Sequence, residues 1–420
     1  MQPTVDSVNT QFGAKKTEAE YITKTLLRNC PQVSPNATGS EVLVLLTEHP
    51  EIISLPVVDN TLPIGLINRS LFMDEMSKPF RREVFARKSC IAFMEKEPLV
   101  VKESLGIQEL SFKVVQSGSK ALKDGFVITD DHGEYLGIGT GEDVMRQVAE
   151  LQAEKNRLIM ESINYASVIQ TSFLRSSRED ISQSLADYFI HWEPRDKVGG
   201  DYYFCKKFQD GFFIALIDCT GHGVPGAFMT LIMASFLDHI LLEDNRHDPA
   251  GALASMNRKV KTALGQINLQ SSSLYVDSNQ SDDGMDTAFC WIDMESMQML
   301  YAGAKTPLFM IDPNDDQQIN IINGDKKCVG YVDTPMDYVW TNHTISLSKG
   351  MCIYLTTDGI IDQIGGAKQI AFGKQRFSQQ LLANYKQPMP EQSELLLESF
   401  YAYQGKQRRR DDVSLLGFRI

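Results

Sequence analysis

The chain has 420 residues, 43% hydrophobic and 23% charged, with a formal net charge of -13. That balance excludes a disordered chain, and the acidic surplus argues against a nucleic-acid binder, which would carry a basic face. The seven cysteines are scattered, odd in number and free of any CxxC pair, so neither a disulfide framework nor a zinc site is signalled, and a reduced cytoplasm is the expected setting.

The length allows two or three domains. Residues 1–29 form a polar segment, and the opening "MQPTVDSVNTQFGAKKTEAE" contains nothing that reads as a signal peptide. From 30 to 148, short β-like runs alternate with helical ones. "EIISLPVVD" and "PIGLINRSLFMDEM" make one unit; "PLVVKESLGIQELSFKV" and "DGFVITDDHGEYLGIGTGEDVMRQV" make a second. Each predicts a strand, a turn, a strand and a helix, repeating at roughly 60 residues. A basic stretch with Lys78, Arg81, Arg82, Arg87 and Lys88 lies between the copies and faces either an anion or water.

Residues 143–175 predict one long helix. Val144, Val148, Leu151, Leu158, Ile159, Ile163, Ala166, Ile169 and Phe173 recur at steps of three and four, with no Gly or Pro between. Such a linker helix either pairs with its copy in a homodimer or packs on its own domain.

Residues 176–420 are mostly strands. "GFFIALID", "TAFCWID", "MQMLYAG", "PLFMID", "CIYLTTD" and "VSLLGFRI" read as buried strands, with helices at 226–243, 249–266 and 375–403. The polar run "QSSSLYVDSNQSDDGMD" reads as a mobile loop. The apolar run Ala227–Leu242 is too short for a membrane span and carries Asp238 and His239, so no transmembrane helix is expected.

Aspartates recur at the ends of these strands. Asp218 closes "FFIALID" before the glycines of "CTGHGVPGAF". Asp201 follows two glycines in "KVGGDYYF". Asp358 ends "CIYLTTD", Asp411 and Asp412 precede the final strand, and Asp286 opens another. Singly, each is an ordinary turn residue. Gathered without a partner they would be costly. Oxygen donors with no accompanying Cys or His set suit magnesium or manganese.

"VGGDYY", "DCTGHGVPGAF", "TTDGIID" and "RRDDVSLLG" resemble, in this order, the motifs of the metal-dependent protein phosphatases, and more narrowly the SpoIIE-like branch of the protein phosphatase 2C (PP2C) superfamily. "INYASVIQTSFL" and "DGMDTAFCWID" extend the resemblance over roughly 160–420. The resemblance implies an α+β fold, an α-β-β-α sandwich with a two-metal site at one end. Asp218 would bridge two Mn2+ or Mg2+ ions, the Cys219 carbonyl would bind one, and Asp358 and Asp411 would hold the other. Asp201 would support the site directly or through water. The paired ions would activate a water for attack on phosphorus. Asp286 is either a ligand of a third metal or a solvent-facing loop residue. Arg195 would bind phosphate, with Lys197 competing for the role. His222 is either a general acid or a structural part of its turn. The family's usual acidic residue shortly after "GGDYY" is missing from "YYFCKKF".

Residues 30–148 resemble a pair of cystathionine-β-synthase (CBS) motifs, which implies an α/β domain pair. There Thr140 and Asp143 match the place where an adenine nucleotide is held; a purely structural pair is the alternative. Together the resemblances imply a regulated cytoplasmic serine/threonine phosphatase acting on a phosphorylated STAS-domain protein, with no nucleic-acid or membrane partner. The alternative is a non-enzymatic nucleotide sensor with a degenerate phosphatase domain, although no metal aspartate is lost. A nucleotide cyclase would need a GGDEF-type continuation, which "GGDYYF" does not supply.

Overall fold

The computed structural model describes residues 22–242, 245–266 and 282–420. Most of the polar opening segment, and most of the run expected to be a mobile loop, therefore lie outside the described residues. The chain divides into two compact units, Met1–Ile159 and Met160–Ile420.

In the first unit, the strand Ser54–Asp59 pairs antiparallel with Leu62–Asn68, and the helix Arg69–Ser77 follows. The Asn68 side chain caps that helix by accepting from the Leu71 N–H at 2.9 Å. Phe126–Thr129 pairs in the same way with Tyr135–Gly139, and the next helix begins at Gly141. The strand–turn–strand–helix pattern thus occurs twice. Each copy has its own apolar cluster, one around Leu55, Val57, Ile67 and Phe72, the other around Leu110, Phe126, Ile128 and Val144.

The helix Gly141–Ser184 has 44 residues and runs past the end expected at 175. Ser176 to Ser184 contain no Gly or Pro to stop it, and Ile181 is buried.

The second unit holds two five-stranded antiparallel sheets. The first runs, in spatial order, His343–Ser346, Gln298–Ala304, Met285–Asp293, Phe212–Cys219 and Asp201–Lys207. The second runs Asp315–Ile322, Leu308–Asp312, Cys352–Thr356, Val413–Arg419 and Asp187–Glu193. Strand alternation sorts the core between layers. Leu308, Met310, Ile353, Leu355, Leu416 and Phe418 pack toward the first sheet. Their neighbours Phe309, Ile311, Tyr354 and Leu415 pack against Phe377, Leu381, Leu396 and Phe400 of two helices. The helices Gly223–Leu242 and Pro249–Ala263 cover the first sheet, and Gly373–Asn384 and Met389–Gln404 cover the second. This is an α-β-β-α sandwich.

Two expectations need correction. The helix expected over 375–403 is two helices, interrupted between Asn384 and Met389. Pro388 removes a backbone donor and disfavours helical geometry at Gln387, so the chain must turn there. Helix Gly223–Leu242 is 20 residues long and, by length and composition alone, apolar enough to cross a membrane. Here its Met233, Leu237, Ile240 and Leu241 are buried in the sandwich core.

Trp192, Trp291 and Trp340 are the chain's three tryptophans, so fluorescence reports on the second unit alone. Leu355→Ala, at a fully buried position, should lower that unit's unfolding free energy by about 2–5 kcal/mol. The exposed Gln298→Ala should stay within about 0.5 kcal/mol of the parent. Urea denaturation followed by tryptophan emission measures both.

Candidate metal centre

Strand register builds one half of the site. In the first sheet Asp201 lies opposite Asp218, and Asp218 lies opposite Asp286. Directly opposed residues of an antiparallel pair share a face with Cβ atoms roughly 5 Å apart, and like charges so placed repel. The other half comes from the second sheet. Asp358 follows the strand Cys352–Thr356, and Asp411 precedes Val413–Arg419. The Thr357 N–H donates to the Ser414 carbonyl at 3.1 Å and ties those two strand ends together. A cavity of about 150 Å³ opens among these ends, walled by Asp218, Asp286, Asp358, Asp362, Lys305 and Lys374.

Asp201 is only 2% exposed, and the Thr357 hydroxyl donates to its Oδ2 at 2.8 Å. Burial lifts its carboxyl well above the usual carboxylate range, and the charges of Asp412 and Asp411 add to the lift. Burial likewise raises Asp218, followed by repulsion from Asp201, Asp358, Asp411 and Asp286. Asp358 stands at the solvent-facing rim. Burial of its carboxyl end, then Asp411, Asp362 and Asp286, pushes it up to about 6. Burial also raises Asp286, whose Oδ1 is buried without a hydrogen-bond partner, while Lys305 Nζ lies 3.8 Å from its Oδ2.

The residues brought together fit a hard divalent cation. The donors are all oxygens, they raise one another's proton affinity, and one buried carboxylate oxygen has no partner. Among the described residues no three side chains already close on one point. Carbonyl and water oxygens would have to complete a coordination shell.

The Cys219 carbonyl packs closely against Gly200. A Cβ on Gly200 would come within 2.8 Å of it, so only glycine lets the two backbones approach so closely. Burial holds the Cys219 thiol protonated, which leaves the backbone as its only donor to the site. A Cβ on Gly199 would meet the Asp412 carboxylate at 2.6 Å. Asp412 instead accepts from the N–H groups of Arg195 at 2.6 Å and Gly200 at 2.5 Å. The paired aspartates therefore divide their tasks, with Asp411 at the carboxylate cluster and Asp412 holding the loop that carries Asp201.

The other expected residues fall elsewhere. Arg195 is exposed and its guanidinium donates to the Arg410 carbonyl at 3.0 Å, next to Asp411, without lining the cavity. Lys197 is exposed beside it. His222 pairs through Nδ1 with Asp196 at 3.1 Å on the surface of the turn. In the first unit, Thr140 donates to Asp143 at 2.7 Å, and Asp143 is also held by Arg28 and Arg146.

Asp412, Thr357 and Gln170 are working parts that motif reading left unassigned. Gln170, fully buried on the helix Gly141–Ser184, donates to the Gly199 carbonyl at 2.8 Å and to Thr230 at 3.0 Å, and it accepts from the Gly199 N–H at 3.3 Å. A glutamine on the apolar side of a helix was the one available signal.

Residues 209–420 match the family described as Stage II sporulation protein E (SpoIIE). The SiaA-PP2C domain of Pseudomonas aeruginosa is similar at 33% identity and a TM-score of 0.56, over 64% of this chain and 99% of that one. The RsbU and RsbW domains of a Mycobacterium tuberculosis protein match at 18% identity and a TM-score of 0.43, over 56% of this chain and 60% of that one. The phosphatase domain and regulatory fragment of SpoIIE from Bacillus subtilis match at 18% and 0.43, over 56% and 63%. No curated protein matches the chain.

Carboxyls raised by folding bind protons more tightly in the folded state. In cation-free buffer they favour folding at low pH, and that contribution is lost as pH rises through the folded values. Between about pH 4, near the ordinary carboxylate range, and pH 7, the ion-free unfolding midpoint should fall. Saturating Mn2+ should flatten the slope, and Asp218→Asn should reduce it. A midpoint that rises over this range in the parent and the variant alike would contradict the clustering.

Proposed function

The chain belongs to the SpoIIE family and carries its PP2C-type serine/threonine phosphatase domain, and on that premise we propose that it is a metal-dependent protein phosphatase whose substrate is a phosphorylated STAS-domain protein. The observation that carries this reading is the in-register row Asp201, Asp218 and Asp286, of which Asp218 and Asp286 share one cavity wall with Asp358, while Asp411 lies close enough to repel Asp218 and Asp358. Two Mn2+ or Mg2+ ions, when bound, would supply an activated water and neutralise phosphate charge.

The chain's own residues account for the rest. Asp218, Asp358, Asp411 and the Cys219 carbonyl would hold the ions. Asp201, oriented by the Thr357 hydroxyl, would set the position of Asp218 from the neighbouring strand. Asp412 fixes the loop 195–200 through two backbone N–H groups, and the glycines of that loop let it close on the Asp218 turn. Asp286 would join a third ion only by loosening its pairing with Lys305. His222, paired with Asp196 outside the cavity, serves the turn in this reading.

Regulation would come through the long helix. Gln170 grips Gly199 by both backbone groups, so a shift of the helix moves the loop beside Asp201. Val148, Leu158, Ile159, Met160, Tyr165 and Val168 are exposed on the single chain, which supports pairing of this helix in a homodimer. An adenine nucleotide at Thr140 and Asp143 would first have to displace Arg28 from Asp143.

The parent should hydrolyse p-nitrophenyl phosphate only with added Mn2+ or Mg2+. Asp218→Asn should lose roughly 100-fold or more, the upper end of what even indirect metal partners cost. A purified phosphorylated STAS-domain protein should be dephosphorylated in parallel. A chain that cleaves the small ester and leaves that protein phosphorylated has a different substrate, and one that cleaves neither is not a phosphatase.

Gln170→Leu should raise the Mn2+ concentration for half-maximal activity roughly tenfold, and it should also lower the unfolding midpoint, because both backbone groups of buried Gly199 lose their partner. Unchanged metal dependence would rule out coupling through this helix. In sedimentation equilibrium the parent should behave as a dimer and Val168→Glu as a monomer; a monomeric parent excludes the paired helix.

A further inference from the structure

The carboxylate cavity has two cationic walls, Lys305 and Lys374, and neither belongs to the aspartate motifs. We propose that Lys305 is the residue that grips the substrate's phosphoryl group, in place of Arg195. The proposal rests on the phosphatase reading above.

The position of Lys305 follows from topology. It occupies the crossing between Gln298–Ala304 of the first sheet and Leu308–Asp312 of the second. Ala304 pairs with Thr287, so the crossing falls beside Asp286 at the carboxylate end. The turn is tight: the Lys305 N–H donates to the Asp325 carbonyl at 2.8 Å and the Thr306 N–H to Ala304 at 2.7 Å. Lys305 itself has φ 58°. That left-handed backbone favours glycine or asparagine, so the turn alone gives no reason for a lysine.

Charge supplies the reason. Four aspartates in the cavity wall repel an incoming phosphate dianion. An ammonium carries three donors; the Cys328 thiol takes one, and at 3.8 Å the Asp286 carboxylate takes none as a full hydrogen bond, which leaves two. Those donors stay available to a phosphate oxygen entering beside Asp218 and Asp358. Lys374, at the start of the helix Gly373–Asn384, adds a second positive charge on the same wall. Arg195 does not line this cavity: one guanidinium N–H donates to the Arg410 carbonyl and its backbone N–H to Asp412.

The test uses full-length protein loaded with Mg2+ and inorganic phosphate as the probe. Calorimetry gives direct binding, and competitive inhibition of p-nitrophenyl phosphate hydrolysis gives a second value. Lys305→Asn, which suits the turn, should unfold at or above the parent midpoint and weaken phosphate binding roughly tenfold to a hundredfold, the span of a charged hydrogen bond. Its KM should rise more than its kcat falls. Lys305→Arg should recover most of the affinity, and Arg195→Ala should stay within about twofold of the parent. The proposal fails if Lys305→Asn binds phosphate like the parent, if Arg195→Ala loses more, or if the parent binds none. A parent that binds phosphate through Lys305 without hydrolysing any ester would overturn the phosphatase reading and keep the anion site. Hydrolysis that is indifferent to Lys305 does the reverse.

Discussion

Mutual repulsion among carboxylates, resisted by strand register, is the constraint on which this molecule turns. Asp201, Asp218 and Asp286 stand side by side because three neighbouring strands pair without a shift at that end. Nothing local favours that row. It persists because Ile214, Leu216, Phe289 and their neighbours are fully or almost fully buried, and a slip of one residue would exchange the side chains facing the two packed layers and break their fit. The core therefore holds the charges where they would not place themselves.

The same economy appears in the loops. Asp411 and Asp412 are consecutive, yet one belongs to the charge cluster and the other to the scaffold. Glycines at 199 and 200 leave room for a carboxylate and a carbonyl that side chains would exclude. Thr357 serves both halves, donating to Asp201 and accepting from the Ser414 N–H at 3.1 Å. Gln170 adds a fixed contact from the long helix to the same loop. The site is thus a meeting of two sheets, and each small polar residue at the junction carries a positional task.

Much of this was legible in the sequence. Continuous apolar runs such as "FFIALI" and "CIYLT" mark strands buried on both faces, and their terminal aspartates stand out against them. Strands of mixed exposure were not legible: Asp187–Glu193 is only partly covered, and His343–Ser346 and Asp315–Ile322 are sheet edges with polar residues. The break before Met389 was missed because the Gln, Leu and Glu content on both sides reads as one helix, although Pro388 was visible. Register cannot be read from one strand at a time, so the row of three aspartates emerges only in three dimensions. Lys305 lies in a three-residue crossing with no periodicity, and its relevance comes wholly from what the sheets bring near it.

The strand Val413–Arg419 is inserted between Cys352–Thr356 and Asp187–Glu193, and Arg419 donates to Asp187 across 232 positions of sequence. Contacts of such long range are slow to form, because a large loop must close before they contribute stability. Asp411 reaches its neighbours only when that insertion is complete. A nascent or partly folded chain consequently holds an incomplete carboxylate cluster, and the full set of opposed charges exists only in molecules that have finished folding.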